Sequence, residues 1–344
     1  MRASALIAGA LLVLTACGQS PPSPAPELAV LSDREGGTGS GHTLVRTTTG
    51  RNLAELPPGH LAVALNGGGD IAEAYLVRAA GEGSEIDVLQ AEVGYAMRPS
   101  AVVRGRPVAA VLVPAALTSF VGRSDVLVVL TDAGRLAGFQ HGTPLWQESA
   151  SPAARLRQFG DLVVYQDGNG WAPVAPADGV RGVIAPAGSC APGPVAFFGD
   201  RPLLDCGGTL SGSLAVIPAI PPATVRVAGG AVLLFVAPEV WRAGLNSARR
   251  LTTGLRATAA PVGSPDGRAV YVPTAGGVES LDPASGSHRR LVAAAGISSI
   301  AVSRDGNYLY AISGGRFSTF AIASGSRVSS FPTDRELIEL VAGG

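Results

Sequence analysis

Two arginine pairs, Arg249-Arg250 and Arg289-Arg290, stand 40 residues apart in the runs "ARRL" and "HRRL". A guanidinium offers a planar fork of donors that grips a carboxylate or phosphate two bonds at a time. Pairs recurring at corresponding places therefore make a candidate anion-binding rim patch. The plainer role is solvated charge that keeps an exposed strand edge from aggregating. Other reactive groups are sparse. His42, His60, His141 and His288 are far apart, with no HxxxH, HExxH or paired CxxC, so no metal site is assigned. All 26 basic residues are arginine, which rules out a GxxxxGK[ST] phosphate loop and any lysine Schiff base. No GxSxG elbow is present. "DGNGW" at Asp167 has Trp171 where a calcium loop needs its fifth-position oxygen, and reads as a plain turn. Asp266 and Asp305 look like a carboxylate pair, but each precedes a glycine, where aspartate caps a tight turn. No catalytic residue and no cofactor are assigned.

The elements that would position these groups repeat. Ser264 to Ser303, Gly267 to Gly306 and Tyr271 to Tyr310 are each separated by 39 residues. Internal similarity at a fixed period near 40 points to a repeat architecture. In the last unit, "ISSIAVS", "NYLYAIS", "RFSTFAIA" and "RVSSF" are separated by Asp305-Gly306, Gly314-Gly315 and Ser324-Gly325. These are four strands with glycine-bearing turns, and four antiparallel strands per unit make one blade of a β-propeller. Composition agrees: the chain is 47 % apolar and 15 % charged, with 46 glycines and 26 prolines. Long helices do not suit that mixture.

The wording "SPDGRAVYV…ASGS" resembles the YVTN and WD40-like bacterial propeller repeats over roughly residues 256 to 332. The resemblance implies an Asp-Gly cap on the first hairpin and a [DN]xx[ST]G turn after the third strand. "DPASG" (Asp282 to Gly286) matches that turn, while "AIASG" has lost its aspartate. Fainter copies start near "HLAVALNGGGD", "SDVLVVLTDAG", "GDLVVYQDG" and "GGAVLLFVA". The chain ends in "LIELVAGG", a first strand, and begins with "ELAVLS", "HTLVRTTTG" and "RNLAEL", which read as strands two to four. The expected fold is all-β, a β-propeller closed by a blade shared between the termini. Turns near residues 68, 124, 161, 200, 230, 267, 306 and 344 count to eight blades. The uneven intervals also fit seven blades with insertions.

Residues 1–16 read as a signal peptide: Arg2 is followed by an apolar run from Ala3 to Ala16, too short to span a bilayer. It ends in "LTAC" (Leu14 to Cys17), which resembles the bacterial lipobox and implies lipidation of Cys17. An ordinary signal peptide containing a cysteine is the other reading. Residues 17–26, "CGQSPPSPAP", make a Pro/Ser tether, and residues 27–344 are the propeller domain. Cys190 and Cys206 remain. In an oxidising compartment they form a disulfide or, alternatively, two buried thiols.

The protein is therefore expected outside the cytoplasm, as a membrane-anchored lipoprotein of the bacterial cell envelope. A formal net charge of zero offers nothing to steer nucleic acid. The expected function is a non-enzymatic binding or scaffolding module whose partner, a protein or envelope component, sits on a propeller face. The alternative is a propeller hydrolase or lactonase with a metal site in the central channel. Lactonases resembling the SMP-30 group gather Glu, Asn and Asp there, and quinoprotein dehydrogenases stack a tryptophan in each blade. Trp146, Trp171 and Trp241 are the only tryptophans of this chain, too few for the second pattern.

Overall fold

A computed structural model describes residues 28–32, 42–46, 49–57, 59–63, 74–89, 96–113, 126–159, 162–182, 185–186, 193–198, 201–205, 210–212, 216–217, 224–228, 231–244, 248–303, 305–333 and 336–341. Cys17, Cys190 and Cys206, the signal and tether segments, and the turn positions 68, 124, 161, 200, 230 and 344 lie outside them. Among the described residues there is no helix, and 32 strands make eight four-stranded antiparallel sheets.

Sheet I combines β1 (Leu28–Ser32), β2 (His42–Arg46) and β3 (Asn52–Leu56) with the last strand of the chain. Sheet II holds β4 (His60–Val63), β5 (Ala74–Ala80), β6 (Gly83–Leu89) and β7 (Met97–Arg104). Sheet III holds β8 (Pro107–Val113), β9 (Val126–Thr131), β10 (Arg135–Gln140) and β11 (Thr143–Ser149). Sheet IV runs β12 (Arg155–Phe159), β13 (Leu162–Asp167), β14 (Gly170–Val174), β15 (Ala185–Pro186). Sheet V runs β16 (Gly193–Phe198), β17 (Arg201–Asp205), β18 (Leu210–Gly212), β19 (Val216–Ile217). Sheet VI runs β20 (Thr224–Ala228), β21 (Ala231–Val236), β22 (Glu239–Ala243), β23 (Ala248–Thr253). Sheet VII runs β24 (Val262–Gly263), β25 (Val270–Thr274), β26 (Gly277–Leu281), β27 (His288–Val292). Sheet VIII runs β28 (Ile297–Val302), β29 (Tyr308–Ser313), β30 (Arg316–Ala321), β31 (Arg327–Pro332). The chain then returns to sheet I as β32 (Glu336–Val341), antiparallel to β1 with Leu28 opposite Val341.

The cores lie between sheets. Leu127 and Val129 of β9 pack towards sheet II with Tyr75, Val77 and Ile86, whereas Val128 and Leu130 pack towards sheet IV with Val163 and Tyr165. Both faces of such a strand are covered, so it reads as an unbroken apolar run instead of alternating. Burying each Leu or Val side chain contributes roughly 1.5–3 kcal/mol. Fourth strands are the opposite case; β11 is exposed along most of its length. First strands of neighbouring sheets touch: β4 with β8, β8 with β12, β16 with β20, β20 with β24, β24 with β28, and β28 with β32. The sheets thus converge on their first strands. Sheet VIII packs on sheet I through Tyr310, Phe317 and Val45, and sheet I on sheet II through Leu56, Leu76 and Leu89.

One contact recurs from sheet to sheet. In the turn after the third strand, Gly286 has φ 81 and its α-carbon abuts the carbonyl oxygen of Leu251 on the preceding sheet's fourth strand. Gly325, 39 residues on, has φ 70 and abuts the carbonyl of Leu291 in the same way. A β-carbon at either place would occupy the neighbour's backbone, and the left-handed φ already disfavours any other residue. The corresponding turns of sheets IV and I bring Gly179 against Trp146 and Gly50 against Phe331. The split sheet therefore also sets its third-turn glycine against the preceding sheet's fourth strand, there on an aromatic ring in place of a carbonyl. "AIASG" keeps the turn despite losing its aspartate, because the backbone bonds suffice. Gly325 N donates to Ala321 O at 2.7 Å, as Gly286 N donates to Asp282 O at 2.9 Å.

Candidate functional site: a charged cavity between sheets VI and VII

Strand alternation separates the members of each arginine pair. Arg249 lies opposite Arg242 on the face of sheet VI turned to sheet VII, and its Nη2 donates to the carbonyl of Ala284 at 2.9 Å. Arg250 lies opposite Trp241 on the other face, where its Nη1 is 3.1 Å from Glu239 Oε1 and Trp241 Nε1 donates to Oε2 at 3.0 Å. Sheet VII repeats the arrangement. Arg290 Nε is 3.3 Å from Glu279 Oε1, and His288 Nδ1 is 3.6 Å from Glu279 Oε2. Arg289, opposite Ser280, is turned to the other face. The four arginines are thus not one patch. Arg250 and Arg290 are each matched by a carboxylate of their own sheet, while Arg249 and Arg289 project towards the next sheet.

Above this gap sit the first and third turns of sheet VII. In the first, Ser264 Oγ donates to Asp266 Oδ1 at 2.6 Å, Arg268 N donates to the same oxygen at 3.0 Å, and Ala269 N donates to Ser264 Oγ at 2.9 Å. The next sheet copies this network with Ser303, Asp305, Asn307 and Tyr308 at 2.6, 2.9 and 2.8 Å. The two aspartates cap their own turns. The hydrogen bond from Ser264, then that from Arg268 N–H, holds Asp266 below the usual carboxylate range. Burial pushes Asp305 up, but the bonds from Ser303 and Asn307 outweigh it and its carboxyl also lies low. In the third turn, Asp282 takes Ser285 Oγ at 2.6 Å and Ala284 N at 2.7 Å, and these bonds, with Arg242 nearby, lower its pKa too. Groups held to the ionised side are poor proton donors near neutral pH.

Two cavities flank these turns. The larger, about 450 Å³, opens between sheets VI and VII and is bounded by Ala231, Arg242, Asp266, Arg268, Asp282 and Ala284. The smaller, about 280 Å³, shares Arg268 and Asp282 and adds Ser280, His288 and Arg289. Sequence reasoning found Arg249 and Arg289 but missed Arg242 and Arg268, which lie outside the doubled-arginine motif. Their only signal is register: Arg242 is the cross-strand partner of Arg249, and Arg268 follows the Asp-Gly turn.

The remaining candidates disperse. His60 Nε2 is 3.1 Å from the Pro107 carbonyl, His141 occupies a turn with φ 49, and His288 faces Glu279. Among the described residues no three of His, Cys, Asp and Glu gather into a metal-sized group. Asp167 accepts from Asn169 N at 2.8 Å and Tyr165 OH at 3.1 Å, a hairpin turn. Trp146 serves packing between sheets III and IV, with Nε1 donating to the Pro176 carbonyl at 2.7 Å.

No protein-family model and no curated protein matches the sequence. Solved structures do resemble it. Apo AztD from Citrobacter koseri is similar at 14 % identity and TM-score 0.55, over 92 % of this chain and 98 % of that one. A Bacteroides uniformis protein provisionally named a 6-phosphogluconolactonase has 15 % identity and TM-score 0.46, over 92 % and 100 % of the two chains. A functionally unknown protein from Desulfotomaculum acetoxidans has 11 % identity and TM-score 0.49, over 92 % and 99 %. Only the first likeness is strong enough to bear on the fold. This chain has a propeller-type, all-β fold.

Proposed function

We propose that the protein is a lipid-anchored binding or scaffolding module of the bacterial cell envelope, built as a closed ring of eight blades with sheet I joining the termini. Residues 1–16 direct export, Cys17 carries the acyl chains, and residues 17–26 tether the ring. The observation that carries this reading is the composition of the convergent first strands. They hold "PVAAVLV", "ISSIAV" and "TVRVA" with the bases His60, Arg155, Arg157 and Arg226, and carboxylates on β32 alone. Such an axis suits a scaffold whose contacts lie on its faces. The alternative is a hydrolase or lactonase with a metal in the central channel. Metal analysis of the purified protein distinguishes the two, since the alternative requires a bound stoichiometric metal.

The anchor has a direct test. Cys17→Ser is expected to move the protein from the membrane to the soluble fraction, because acyl chains supply the membrane affinity. Retention in the membrane fraction would overturn the lipid-anchor reading.

We also propose a bond between Cys190 and Cys206. The β16–β17 hairpin pairs Gly193 with Asp205 at its open end, and in the sequence Cys190 stands three residues before that pair and Cys206 one residue after it. Closing a loop of about 15 residues contributes about 3 kcal/mol by chain entropy. The mature protein is expected to show no free thiol after denaturation without reductant. Two titratable thiols would leave the pair as buried cysteines.

A further inference from the structure

We infer that the cavity between sheets VI and VII binds an oxyanion, a carboxylate or phosphate group of a small molecule, through Arg242 and Arg268. The inference rests on the reading of the protein as a binding module and gives that module a ligand class. Three observations meet at this cavity.

The first is a like-charge pair. Arg242 and Arg249 are directly opposite on adjacent strands, both turned to sheet VII. Like charges in that relation destabilise a sheet. Arg249 finds the Ala284 carbonyl at 2.9 Å. Arg242 makes no hydrogen bond among the described residues, so its donors remain available at the wall of the cavity.

The second is the state of the two carboxylates. Asp282 accepts hydrogen bonds at both oxygens, Oδ1 from Ala284 N and Oδ2 from Ser285 Oγ. Asp266 Oδ1 takes two donors, leaving Oδ2 to Arg268 Nε at the long distance of 3.7 Å. The carboxylates are committed to their turns and only loosely to the guanidiniums. An incoming oxyanion can therefore take short, forked bonds that neither aspartate now makes.

The third is size and access. A volume of about 450 Å³ between two sheets accommodates a small organic acid or phosphate ester. Arg268 stands 88 % exposed at the cavity's edge, free to swing onto a ligand held from the other side by Arg242. The adjoining cavity, which shares Arg268 and Asp282, has a further guanidinium in Arg289.

The test is calorimetric titration of the full chain with inorganic phosphate and, separately, with citrate. The two arms tell a bare phosphate site from one shaped for carboxylates. Saturable binding to at least one probe is expected, weakening as salt is raised. Arg242→Gln and Arg268→Gln should each weaken it about tenfold, the effect of losing a charge-assisted hydrogen bond. Arg316→Gln, on β30 and bonded to Ser330 at 3.0 Å, should leave it unchanged. Melting curves of all three variants guard against misfolding. Absence of saturable binding overturns the inference, as does wild-type affinity in both cavity variants or equal weakening by Arg316→Gln. Binding that leads to turnover of a phosphate ester or lactone would preserve the site but refute the non-enzymatic reading.

Discussion

Truncation of residues 335–344 is expected to lower the melting temperature by about 10 °C and to make the protein aggregate. The segment contains β32, which pairs with β1 at five positions from Leu28↔Val341 to Ser32↔Glu336 and also touches β28. At about 1 kcal/mol net for each backbone hydrogen bond, the ladder alone is worth roughly 5 kcal/mol. A change of 1 kcal/mol moves the midpoint by roughly 2–4 °C in a domain of 150–250 residues, and somewhat less in a larger one. Aggregation follows because β1 would present an unpaired edge to other molecules. Scanning calorimetry and light scattering measure the two effects. An unchanged midpoint in a monodisperse sample would mean that β32 does not hold the termini together.

Gly286→Ala is expected to cost about 3 kcal/mol. An alanine at φ 81 carries roughly 1–2 kcal/mol of left-handed strain. Its methyl must also displace the Leu251 backbone, and overpacking of that kind costs roughly 1–3 kcal/mol. Gly296→Ala separates the two contributions. Gly296 has φ 67, but nothing lies within 4 Å of an added β-carbon, so only the strain remains. Denaturant unfolding should therefore rank Gly286→Ala well below Gly296→Ala in stability. Equal losses would show that the close approach between sheets VI and VII carries no weight.

The repeat was legible because its signals are local. A glycine that must adopt positive φ, an aspartate two residues after a serine, and an apolar run covered on both faces can each be recognised without knowing the neighbours. These features place the strands of sheets VII and VIII and identify "ELAVLS", "HTLVRTTTG" and "RNLAEL" as the later strands of a sheet begun elsewhere. They also identify Asp266 and Asp305 as turn caps. The wording at Cys17 that resembles a lipobox is also local, and the proposed lipidation there has a chemical test.

The arrangement of charge was not legible in this way. In sequence, Arg249 and Arg250 are adjacent and look alike. Side chains on a strand alternate between faces, and what each face meets depends on a different sheet, so one guanidinium reaches Ala284 while the other is held by Glu239. Arg242 and Arg268 are 26 residues apart and belong to no common motif. They line one cavity only because sheet VI packs on sheet VII with the turns of the second above the strands of the first. Backbone conformation and burial are written into short stretches of sequence, since each is decided over a few residues. A site shared by two sheets is decided by how the sheets pack, and that belongs to the tertiary structure.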